Sequence, residues 1–141
     1  MKVLASLLFV FILIAGNAVA AECSPKDAEA ADLAVDHLTT WQTVNDYFNH
    51  YRQCDDGDIA EGSSEAVIRL LADKWETLPK LDKIIAKNPP LKGWVLNHIN
   101  TTLDTDDLFN VEKLATSQCP SSGESLCKEI ASSAHEAATG N

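Results

Sequence analysis

The chain has 141 residues, 45% of them hydrophobic, with 21 acidic against 11 basic side chains and a net charge of -10. Such acidity argues against nucleic acid and anionic membrane as partners, because phosphate backbones are held by clustered Lys and Arg that release counterions. The length suits one domain, and the acidity itself favours solubility and a partner with a basic patch.

Residues 1–20 read as a signal peptide: Lys2, an apolar run from Val3 to Ala15, then Ala18-Val19-Ala20 as a small-residue cleavage site. The apolar run is shorter than the roughly 20 residues of a spanning helix, and no later stretch replaces it. A single domain over residues 21–141 is therefore expected, periplasmic or secreted. Cys23, Cys54, Cys119 and Cys127 all fall within it. An even count in an exported chain predicts two disulfides, with three connectivities open. Cys54 and Cys119 each end a predicted helix before a turn, which favours pairing them and leaves Cys23 for Cys127.

Ser24-Pro25 starts a first helix, with Ser as cap and Pro in the first turn, and its apolar face is narrow (Ala28, Ala31, Ala34, Val35, Leu38). Thr39-Thr40 caps a second helix, along which Trp41, Val44, Phe48 and Tyr51 repeat at helical spacing as far as Cys54. Asp55-Asp56-Gly57-Asp58 is turn chemistry. Ser63 or Ser64 then caps a third helix, in which Val67, Leu70, Leu71, Trp75 and Leu78 share a face.

Pro79 breaks and restarts the chain, and Leu81, Ile84 and Ile85 face inward before Asn88-Pro89-Pro90 ends that helix. Leu91, Trp94, Val95, Ile99 and Leu103 mark the next helix. Asp104, Asp106 and Asp107 signal the N-terminus of another, followed by Leu108, Val111 and Leu114. A last helix carries Leu126, Ile130 and Ala134 before a frayed tail, Thr139-Gly140-Asn141. No strand pattern appears. The expected fold is all-α: six or seven short helices in an irregular, orthogonal bundle of helical hairpins, stapled by two disulfides.

The search for chemistry yields few candidates. Measured against an EF-hand loop, the Asp55 to Glu61 segment places Cys54, Arg52 or Ile59 at ligand positions, so no calcium motif results and a solvated turn is the simpler reading. His37, His50, His98 and His135 are scattered over four predicted helices and form no zinc set. His50 and Cys54 share a face, but a disulfide removes the thiol that a Cys–His pair needs. No catalytic motif is present, and no metal or other cofactor is expected. Asn100-Thr101-Thr102 matches a glycosylation sequon, which in a bacterium would be accidental. The aromatic residues read mainly as core. Tyr47 and Phe109 lie off the main stripes and are the candidates for exposed partner-binding anchors, beside Asp55, Asp56, Asp58, Glu61, Asp104, Asp106 and Asp107.

The run Gln53-Cys54-Asp55-Asp56-Gly57-Asp58-Ile59-Ala60-Glu61-Gly62, continued by Leu70-Leu71-Ala72 and Trp75, resembles a group of small exported bacterial proteins. The similarity extends through Val95-Leu96-Asn97-His98-Ile99 to Gln118-Cys119-Pro120. It implies a bacterial, periplasmic setting and brings no catalytic residues. The leading expectation is a non-enzymatic binding protein that recognises another protein, such as a periplasmic immunity protein or enzyme inhibitor, through a basic patch on a toxin or cell-wall enzyme. The alternatives are a carrier holding an apolar small molecule in a helical cavity and a weak hydrolase with a carboxylate pair.

Overall fold

In the computed structural model, residues 21–140 are described. The expected signal peptide, residues 1–20, lies outside them. The described chain is all-α, with seven helices: α1 (Pro25–Val35), α2 (Trp41–Tyr51), α3 (Gly57–Asp73), α4 (Leu78–Lys87), α5 (Pro90–Asn97), α6 (Thr105–Ser117) and α7 (Glu124–Thr139). Single 3-10 turns after α2, after α3 and before α7 tighten the corners.

The caps explain where the helices begin. Ser24 accepts from the Asp27 N–H with Pro25 in the first turn, and Thr40 forms a reciprocal capping box with Thr43. Asp104 accepts from the N–H groups of Asp106 and Asp107. Two boundaries differ from expectation. Asp56, not Ser63 or Ser64, caps α3, and Gly57 turns the chain there at a φ of +54°. The two serines consequently lie inside the helix, on its buried face. The helix expected through Leu103 stops at Asn97, and Ile99 and Leu103 reach the core from an irregular connection instead.

Two hairpins frame the molecule. α1 and α2 run antiparallel, so Cys23 before α1 meets Cys54 just beyond α2. α6 and α7 run antiparallel, with Cys119 bonded to Cys127 at the corner and Glu112 beside His135 farther along. The disulfides are therefore Cys23–Cys54 and Cys119–Cys127, and the expected Cys54–Cys119 and Cys23–Cys127 pairing is wrong. Each cysteine pairs within its own hairpin because the hairpin turn already returns the chain to it. At the C-terminus α7 remains helical through Thr139, and Gly140 closes it in the left-handed conformation. Asn141 of the expected frayed tail lies outside the described residues.

α3 crosses the middle of this frame. Val67, Ile68, Leu70 and Leu71 are buried in one continuous core shared with Val44 and Phe48 of α2, Leu81 of α4, Leu91 and Val95 of α5, Leu108 and Val111 of α6 and Ile130 of α7. Burying each large aliphatic side chain contributes about 1.5–3 kcal/mol. Polar ties fix the directions. Trp41 Nε1 donates to Thr77 (3.0 Å), Trp75 Nε1 to the Gln118 carbonyl (2.8 Å), and Lys92 Nζ pairs with Glu129 (2.9 Å).

A buried carboxylate, imidazole and hydroxyl cluster as the candidate functional site

Asp55 follows the disulfide-bonded Cys54 and precedes the α3 cap, so its backbone is held on both sides. Its side chain turns inward. Oδ1 accepts from Ser63 Oγ (2.9 Å), and Oδ2 accepts from Trp94 Nε1 (2.8 Å) and from His98 Nε2 (2.7 Å). An oxygen that already receives the indole N–H acts as an acceptor, so the proton of the second bond sits on His98 Nε2. The other ring nitrogen, Nδ1, lies 2.8 Å from Ser64 Oγ. That hydroxyl also lies 2.9 Å from the Ala60 carbonyl and accepts from Asn100 Nδ2 at 3.0 Å.

Ser64 has one hydrogen and two acceptors for it. The Ala60 carbonyl and His98 Nδ1 compete for that hydrogen, while Asn100 Nδ2 donates to the same oxygen. His98 is 5% exposed, and its ring packs against Trp94 at 4.1 Å between centroids.

Above the cluster opens a cleft of about 400 Å³, walled by Gly57, Ala60 and Glu61 of α3 on one side and by Asn97, Asn100 and Thr102 on the other. Asp56, Asp58 and Glu61 are exposed near it, and neither Asp58 nor Glu61 forms an ion pair among the described residues. At the start of α6, Asp104 and Asp106 are exposed, whereas Asp107 is half-buried and pairs with Arg69 of α3. Glu65 and Asp73 also bind that guanidinium, at 3.2 and 3.3 Å. Asp107 foremost among them raises the Arg69 pKa and holds the group charged.

Two expected partner-binding residues need correction. Asp55 is not a surface charge, because Ser63, Trp94 and His98 consume its acceptors in the interior. Tyr47 is 3% exposed and packs against Tyr51 and Trp94 rather than standing as a surface anchor. Burial pushes its phenol pKa up. Phe109 is 47% exposed. Among the described residues no group of three or more His, Cys, Asp or Glu side chains converges as a metal site.

The sequence alone does not reveal the cluster, because Asp55 lies in what reads as a solvated turn and His98 is one of four scattered histidines. A signal did exist. Ser64 lies in register with Val67 and Leu71 on α3, and His98 continues the Leu91, Trp94, Val95 stripe. Polar residues on an apolar stripe must find partners when buried.

A comparison of the chain with protein-family models, curated proteins and solved structures found no match.

The cluster has the members of a Ser–His–Asp triad, with the ring nitrogens exchanged relative to the usual arrangement. Ser64 is only 2% exposed and sits inside a helix, where neighbouring N–H groups are committed to helical bonds and offer no oxyanion site. Its chemistry is that of a buried tie: it fastens the Asp55 corner and the start of α3 to the segment after α5.

Proposed function

We propose that the chain is an exported, non-enzymatic binding protein that recognises another protein, in the manner of a periplasmic immunity protein or enzyme inhibitor. The observation that carries this reading is the division of its carboxylates. Asp55 and Asp107 are used internally, while Asp58, Glu61 and Asp106 are exposed and have no ion pair among the described residues, on a frame held by two disulfides. A basic patch on a partner would supply the missing counter-charges. Such complementarity accelerates encounter and selects partners, and salt weakens it.

Export is supported by the two disulfides, which persist in oxidising compartments. No helix among the described residues is long and apolar enough to cross a membrane. Preformed geometry also suits binding, because a surface already held by disulfides and buried hydrogen bonds loses less entropy on association.

One observation favours a second reading, a hydrolase: the Ser64, His98 and Asp55 constellation beneath a cleft. It ranks below the first because Ser64 is enclosed and already bonded on three sides. The carrier reading draws less support, since the clefts are open to solvent rather than enclosed.

Affinity capture tests the proposal, using the oxidised protein as bait in bacterial periplasmic extract and reading the eluate by protein and small-molecule mass spectrometry. A stoichiometric protein released by salt is the expected result. A lipid-like molecule without a protein partner would replace this reading with the carrier.

A further inference from the structure

On the opposite flank of α3 from the buried cluster lies a second cleft, of about 340 Å³, between the end of α1 and the middle of α3. Its floor is apolar: Val35, Leu38, Ala66 and Leu70. At that end α1 rests directly on α3, since a Cβ at Gly62 would stand 3.1 Å from a Val35 methyl group. The wall is therefore set by the Val35 side chain lying against the α3 backbone, an approach that the missing Cβ of Gly62 permits.

The rim is charged, and its charges are unevenly free. Lys74 Nζ is bound to the Thr39 carbonyl at 3.0 Å, and Arg69 is bound by Glu65, Asp73 and Asp107. Both cations are thus turned to internal acceptors. Asp36 is exposed and has no ion pair among the described residues, and three carboxylates share the single Arg69 guanidinium. An apolar floor repays an apolar occupant, and a rim with surplus negative charge selects cations beside it. At this volume, near the lower end of the roughly 300–1,000 Å³ range of ligand pockets, the cleft suits one side chain rather than a large molecule.

We propose that this groove receives an apolar side chain of the partner protein, flanked on its own chain by Lys or Arg that meet Asp36 and Glu65. The inference rests on the protein-binding reading and names the chemistry of the partner segment.

The test is a heteronuclear NMR titration of the oxidised protein with the peptide Ac-Arg-Leu-Arg-NH2, with Ac-Arg-Ser-Arg-NH2 and Ac-Glu-Leu-Glu-NH2 as controls. The expected result is saturable shifts confined to residues 35–39 and 62–74 with the first peptide alone. Ala66→Arg should abolish them, and Asp36→Lys, which leaves the floor untouched, should weaken binding about fivefold, the scale of one exposed charge contact. Equal shifts with the serine peptide, shifts elsewhere, or none at all would overturn the groove. A captured protein partner whose affinity is unchanged by Asp36→Lys and Ala66→Arg would also overturn it, while leaving the binding-protein reading intact.

Discussion

His98 Nε2 lies 2.7 Å from Asp55 Oδ2, a buried bond between the corner that starts α3 and the end of α5. It ties together two segments that each lead into a candidate binding surface: Asp56, Asp58 and Glu61 after Asp55, and Asp104 and Asp106 after His98. The relative position of those carboxylates depends on an interaction that does not itself face a partner.

Removal of the imidazole should therefore be costly. His98→Ala is predicted to destabilise the protein by about 3 kcal/mol, because it leaves a buried carboxylate short of a partner. His98→Gln, which can restore a donor toward Asp55, should recover part of that loss. Urea unfolding of the three proteins measures both effects, and a loss below about 1 kcal/mol in His98→Ala would contradict the assignment.

Ser64 should behave as a structural hydroxyl. A fluorophosphonate probe is predicted to leave it unlabelled, and Ser64→Ala should cost about 1–2 kcal/mol in stability through the lost bonds to His98 and Asn100. Stoichiometric labelling of Ser64, read by peptide mass spectrometry, would instead promote the hydrolase reading.

Tyr47 predicts an alkaline limit. Burial raises its pKa, so the folded protein keeps the phenol neutral where the unfolded chain ionises it. The unfolded state then binds fewer protons, and stability falls as pH rises past the ordinary tyrosine value near 10 and through the higher folded value. Below pH 10 this contribution is fully present. Tyr47→Phe should flatten the decline, as measured by urea midpoints between pH 8 and 11.

The disulfides should differ in worth. Cys23–Cys54 closes a separation of 31 residues and Cys119–Cys127 one of 8. Loop entropy assigns the first about 3–4 kcal/mol and the second about 2–3 kcal/mol. Paired Cys→Ser variants compared by urea unfolding should show that order.

Much of this fold was legible because caps and apolar spacing are local signals. Ser24-Pro25, Thr40 and Asp104 start helices where the sequence places them. The misreadings share a cause, since each depends on what the chain meets far away. Asp55 reads as a solvated turn until Trp94 and His98 are brought to it, and Tyr47 reads as exposed until α5 covers it. Cysteine pairing likewise followed hairpin packing, which helix-end positions alone do not encode. Within the candidate site, the exposed acidic residues were visible in the sequence, but the tie that positions them was not.

The proposed recognition of a basic protein partner by the exposed carboxylates around α3 and α6 can be measured by calorimetric titration of the partner captured from periplasmic extract into the protein and into Asp58→Ala/Glu61→Ala/Asp106→Ala, each at 50 and 500 mM salt. Salt should weaken the unmodified complex by about tenfold or more, and the triple variant should bind more weakly and lose most of its salt dependence. Equal affinity and equal salt dependence for the two proteins would contradict it.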